Sequence, residues 1–270
     1  MRINWSKALG DGLKFGFHPQ RWLQLLVVDV FFLSVIFSFV YLNLSDIFYL
    51  FSSLSTGADR FLVMSLLSYI WIPVVFFILW FIVRIWMNGS IVYQSWKTKG
   101  SEIGKSWRYA CRKYPSMLFA IVIITLLATL FSMIPYIGWM LSIIISWIFF
   151  FTVQAIIIRN TGFYDGLVDS YEIFRKNPFE VIVIWLITAI ISVVIFSIFA
   201  LPMASLLFVN VLYLTETAGI ASLFLLLKEQ MVFFVISGLI LLIGISVATA
   251  FTLKAQVEFY LQLKKRFRVF

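Results

Sequence analysis

Six stretches of the chain are apolar almost without interruption, and polar residues collect between them. They run about 22–42, 61–86, 116–134, 137–158, 181–207 and 231–253. The hydrocarbon core of a bilayer takes about 20 residues of helix, so each stretch can cross one. The runs are continuous rather than alternating, unlike the strands of a membrane barrel. A helix also pairs its backbone polar groups within its own segment, as lipid requires. The pattern predicts an all-α polytopic membrane protein with six transmembrane helices arranged as three hairpins. Trp22, Trp86 and Trp139 fall near span ends, where aromatic rings favour the membrane interface.

The polar segments before the odd-numbered spans resemble one another. Ile103, Trp107, Ala110 and Tyr114 fall at i, i+4, i+7 and i+11, and Phe163, Leu167, Ser170 and Phe174 repeat that spacing. The opposite faces carry Lys105, Arg108 and Arg112, or Asp165, Asp169 and Glu172. The endings also match, Arg112-Lys113-Tyr114-Pro115 against Arg175-Lys176-Asn177-Pro178. Near the N-terminus Trp5, Leu9 and Leu13 share a face before Pro19, and Gly10, Gly12 and Gly16 weaken that helix. Each hairpin is thus expected to follow a cytoplasmic amphipathic helix that ends at a proline break. The reading is one transmembrane domain, 1–270, with parallel internal repeats over 1–97, 98–160 and 161–270. The competing explanation is that any juxtamembrane helix is amphipathic and basic.

Composition narrows the class. The chain is 63% hydrophobic and 12% charged, with a mean hydropathy of +1.03. Those values exclude a soluble enzyme, a disordered chain and a disulfide scaffold. The net charge of +9 would suggest nucleic acid in a soluble domain, but membrane proteins gather Lys and Arg in cytoplasmic loops. Of the 21 Lys and Arg, only Arg60 and Lys228 fall in the first, third or fifth connection. Both termini are therefore expected in the cytoplasm, in a multi-pass protein of the plasma membrane, with no nucleic-acid partner. The scattered charges of Arg2, Lys7, Asp11, Lys14, His18 and Arg21 do not make a signal peptide. Asn43-Leu44-Ser45 and Asn88-Gly89-Ser90 match a glycosylation sequon, a pattern common by chance.

Little in the sequence carries chemistry. Cys111 is the only cysteine and His18 the only histidine, too few for a zinc, haem or iron–sulfur site, so no metal or cofactor is expected. No nucleophile–base pair and no Walker motif occurs, and a non-enzymatic protein is expected. Asp29 lies inside the first span, where a carboxylate needs a partner or a cavity. Arg84 and Arg159, at the ends of returning spans, are the candidate partners in an intramembrane ion pair. Lys254 and Glu258, at i and i+4, read as a local pair on a solvated face. Gln154 can bridge helices, and Gly244 with Ala248 forms a small-residue packing pair. Lys105, Arg108, Arg112 and Lys113 are candidate contacts to anionic lipid headgroups. The expected role is lipid interaction or membership of a membrane complex. A small permease or channel with Asp29 in its pathway is the alternative.

Gly162, Gly166-Leu167, Ser170-Tyr171 and Asn177-Pro178 follow a span, and Phe259-Tyr260-Leu261 with Lys264-Lys265 closes the chain. These residues resemble a signature and ending of the glycerophosphoryl diester phosphodiesterase membrane-domain, or YciC-like, superfamily of archaeal and bacterial membrane proteins. The resemblance implies a six-helix membrane domain of three helical hairpins and no agreed activity. The soluble phosphodiesterase that some members carry needs a cluster of acidic and histidine residues for its metal; with one histidine and no room for that domain, its activity is not expected here.

Overall fold

A computed structural model describes residues 3–43, 45–46, 60–97, 102–217 and 229–267. Arg2, Lys99, Lys228 and Arg268 of the charge pattern, and Leu44 of the first sequon, lie outside these residues. Among the described residues the regular elements are all helical. They are α1 (Trp5–Gly16), α2 (Pro19–Leu42), α3 (Arg60–Trp96), α4 (Ile103–Ser132), α5 (Gly138–Ile148), α6 (Thr152–Arg159), α7 (Phe163–Lys176), α8 (Pro178–Thr217) and α9 (Met231–Phe267). Six helical stretches are long and apolar enough to cross a membrane, counting Gly138–Arg159 as one. The chain is a multi-pass membrane protein in architecture.

Several helices outrun the apolar runs that announced them. Helix α3 has 37 residues, about 55 Å of axis, and α9 continues through Lys254 and Lys264 to Phe267. The break expected at Pro115 is absent: α4 runs through that proline from Ile103 to Ser132. Proline removes one N–H and crowds one carbonyl, and a helix that is packed on neighbours tolerates this. Breaks do precede Pro19 and Pro178, each at the first position of its helix, where the missing N–H costs nothing. Pro73 and Pro202 also lie inside continuous helices.

The expected fourth span is interrupted at Phe149–Phe151, between α5 and α6. The interruption frees backbone groups, and α7 supplies the missing partner. Ser170 Oγ donates to the Ile148 carbonyl at 2.9 Å and accepts from the Phe151 N–H at 3.1 Å. A buried break is permitted only where side chains re-pair the freed groups in this way.

The chain forms two compact units. The first comprises the described residues of Met1–Gln24, Arg84–Ile195 and Ser246–Phe270. Its core includes Met87, Ile91, Phe151, Ile156, Phe251, Phe259 and Tyr260, all buried. Small residues let its helices approach closely. A side chain at Gly12 or Gly16 would meet Phe251, and one at Gly89 would meet Met117. Two of the three glycines expected to weaken α1, Gly12 and Gly16, therefore seat it. The buried stripe of α1 is Ala8, Gly12 and Gly16, that of α4 begins with Ser106 and Ala110, and that of α7 includes Gly166 and Ser170. The larger residues of the expected apolar faces, such as Leu13, Ile103, Trp107 and Phe163, stay exposed.

The second unit comprises the described residues of Leu25–Val83 and Phe196–Ile245. Gly244 of α9 packs against the Phe199 ring of α8. Trp71, Phe77, Ile198, Leu201 and Phe233 are exposed, as lipid-facing side chains are.

Candidate functional site

Helix α1 is tied to α9 at its N-terminal end. The Asn4 N–H donates to Gln262 Oε1 at 2.8 Å, and the Trp5 and Phe259 rings lie 5.1 Å apart. Asn4 Oδ1 caps the helix by accepting from the Lys7 N–H at 3.0 Å. With Ala8, Gly12 and Gly16 turned to the core, an adjacent face of α1 carries Lys7, Asp11, Lys14 and Phe15. These residues, with His18, Arg21 of α2, and Lys254 and Glu258 of α9, line a cavity of ≈ 470 Å³. Four cations face two carboxylates there, with His18 beside them.

The two walls are braced from behind. Lys254 was expected on a solvated face but is buried. Its Nζ donates to Glu258 at 2.6 Å and to the Ser95 carbonyl at 2.9 Å. Continuation of α9 beyond the apolar run carries it against α3 instead of into solvent. Arg21 donates to Gln94 Oε1 at 2.9 Å and stands over the Phe15 ring, 5.4 Å from its centre. Gln94 belongs to a buried network. Its Nε2 donates to Ser106 Oγ at 2.8 Å and to Gln24 Oε1 at 3.1 Å, while Trp107 Nε1 also donates to Gln24 at 2.9 Å. This network fixes α2, α3 and α4 against one another and aims the Arg21 guanidinium. A concave site with excess positive charge and braced cations attracts and orients an anion.

A second cluster centres on Asp169. The sequence pattern placed this carboxylate on a polar outer face, but α7 turns it inward and only 8% of the residue is exposed. Arg159 Nη1 donates to it at 2.6 Å, Tyr260 Oη at 2.6 Å, and Lys264 Nζ at 3.0 Å. Three helices, α6, α7 and α9, thus meet on one carboxylate. A cavity of ≈ 440 Å³ adjoins it, lined by Trp96, Ile158, Arg159, Tyr260, Leu261, Lys264 and Lys265.

The other residues marked in the sequence fall as follows. Asp29 is buried in α2 and accepts from Trp80 Nε1 at 2.9 Å. Arg84 donates to Thr249 Oγ1 at 3.1 Å. Arg159 has its ion pair with Asp169. Gln154 bridges to Gln256 of α9 at 2.6 Å, a helix-to-helix contact of the kind its position suggested. Arg108 and Arg112 are exposed on α4, and Lys105 is exposed and paired with Glu102. Lys113 donates to the Asn160 and Thr161 carbonyls at 2.8 and 3.3 Å, so it joins α4 to the turn after α6.

The lining of the first cavity was legible as a pattern. Lys7, Asp11, Lys14, His18 and Arg21 are spaced 4, 3, 4 and 3, which is one stripe of a helix. Read for a signal peptide, those charges look scattered. Read at helical period, they form a wall. Comparison with family models, with curated proteins and with solved structures returns no match for this chain.

Proposed function

We propose that the chain is a non-enzymatic multi-pass protein of the plasma membrane that seats anionic phospholipid headgroups in the cavity between α1, the start of α2, and α9. The observation that carries this reading is the cation stripe itself. Lys7, Lys14 and Arg21 stand on one wall and Lys254 on the other, around a volume of ≈ 470 Å³. The charge pattern supports placing both termini, and so this cavity, on the cytoplasmic side, where anionic lipids are concentrated. Arg108 and Arg112, with Lys105, add a less specific attraction, about 1 kcal/mol for each basic residue near an anionic surface. The reading keeps three hairpins with amphipathic leaders, the parallel units 1–97, 98–160 and 161–270, and kinship with the membrane-domain superfamily named above.

Native mass spectrometry of the purified chain tests the proposal. Wild-type protein extracted from mixed phosphatidylcholine and phosphatidylglycerol bilayers should retain the anionic lipid selectively. The Lys7→Gln, Lys14→Gln double variant should lose that selectivity, while Arg108→Gln with Arg112→Gln should keep it. Equal selectivity in the wild type and the Lys7, Lys14 variant would reject the cavity as the seat.

A further inference from the structure

The Asp169 cluster does more than fasten three helices. Asp169 does not line the adjoining cavity, but Arg159 and Lys264, which it holds, both do, and Lys265 joins them. One carboxylate behind the wall therefore faces three cations, two of them bonded to it. The cavity is left with an excess of positive charge, fixed in place by the carboxylate and by Tyr260, whose oxygen accepts from Lys264 Nζ at 3.0 Å. Arg159 directs one N–H group to Asp169. A guanidinium has five, in a planar fork that suits paired oxygens, and its side chain is 43% exposed.

The remaining walls are not ionic. Trp96, Ile158 and Leu261 give the cavity an apolar and aromatic side. At ≈ 440 Å³ it lies in the usual range of about 300–1,000 Å³ for small-ligand sites. A ligand that satisfies both sides carries a compact dianion at one end and an apolar body at the other.

We infer that the cavity formed by Trp96, Ile158, Arg159, Leu261, Lys264 and Lys265 is a second anion site, specific for a phosphomonoester group. A phosphomonoester offers three terminal oxygens and close to two negative charges, matching the Arg159 fork and the neighbouring lysines. Asp169 is a positioning residue, holding Arg159 and Lys264 at the wall without touching the ligand. This site shares no lining residue with the headgroup cavity, so the two stand or fall separately.

Thermal melting of the full chain in phosphatidylcholine nanodiscs, at matched ionic strength, tests the inference with two probes. These are inorganic phosphate and a short-chain phosphatidic acid. At least one should raise the melting temperature saturably. The half-saturating concentration should rise about tenfold in Lys265→Gln and in Arg159→Lys, the loss expected for one charge-assisted contact. Neither variant removes the charge that balances Asp169, so both should fold. A response to phosphate supports the site and assigns it to free phosphomonoesters. A response to phosphatidic acid alone supports it and assigns it to a lipid headgroup. No response to either probe, or an equal response in the wild type and both variants, overturns the inference. So does a response abolished by the Lys7→Gln, Lys14→Gln variant, which would place binding in the other cavity.

Discussion

Asp169 accepts from a guanidinium, an ammonium and a phenol, and its neutral replacement should show how much of that is charge. Asp169→Asn keeps an acceptor for one donor but leaves Arg159 and Lys264 without a counter-charge. Breaking a fully buried ion pair costs about 3–5 kcal/mol. Here Arg159 is 43% exposed and Lys264 21%, so water recovers part of the loss. The expected destabilisation is about 1–3 kcal/mol, read as a lower melting temperature in detergent. Tyr260→Phe removes the hydrogen bond donated to Asp169 and the one accepted from Lys264, and should cost at least the about 1.5–3 kcal/mol of one hydrogen bond to a charged group. The glycines of α1 give a sharper contrast. A methyl group at Gly16 would stand 2.9 Å from Phe251 Cβ and 3.1 Å from its backbone, which cannot yield easily. At Gly10 nothing lies within 4 Å. Gly16→Ala should therefore destabilise, while Gly10→Ala should stabilise by about 0.5–1 kcal/mol through helix propensity. Opposite signs in paired melts are the expected outcome, and equal signs would show that α1 is not seated through Gly16.

At the scale of elements, the interrupted helix is the clearest dependence of one segment on another. Ser170 alone pairs both Ile148 C=O and Phe151 N–H in the described contacts. Ser170→Ala should leave both groups buried and unpaired, costing about 1–3 kcal/mol for each group that water cannot reach. Hydrogen exchange should locate the effect: the Phe151 amide should lose protection while amides in α1 keep theirs. Uniform loss along the chain would mean general unfolding rather than a local repair. The break itself was invisible in the sequence, because Phe149-Phe150-Phe151 is as apolar as its neighbours and hydropathy does not report backbone geometry. The six apolar runs were legible because length and hydropathy alone set a span. The inward faces were not. In water an apolar stripe points to the core, but in lipid apolar side chains have a second place to go. Ile103, Trp107 and Phe163 are exposed, and the small residues Ser106, Ala110 and Gly166 pack inside. Asp169 and Lys254 were misjudged by the same rule, since charge was read as outward and both found buried partners.

For the whole molecule, the distribution of cations makes the strongest claim. Every segment expected to face the cytoplasm carries several Lys or Arg, and the opposite connections hold only Arg60 and Lys228. Translocating a Lys- or Arg-rich loop is disfavoured, so both termini and the segments around Lys97–Lys113 and Arg159–Lys176 should face the cytoplasm. Both proposed anion sites depend on that placement for access to cytoplasmic ligands. Cys111 is exposed, which permits a direct measurement. An impermeant maleimide should fail to label Cys111 in intact cells and should label it once the membrane is opened. A Cys111→Ser chain with a cysteine placed at Lys228 should show the reverse. Labelling of Cys111 from outside intact cells would invert the topology and turn the headgroup cavity toward the opposite leaflet. Binding at either site would then have to be sought with ligands from that side.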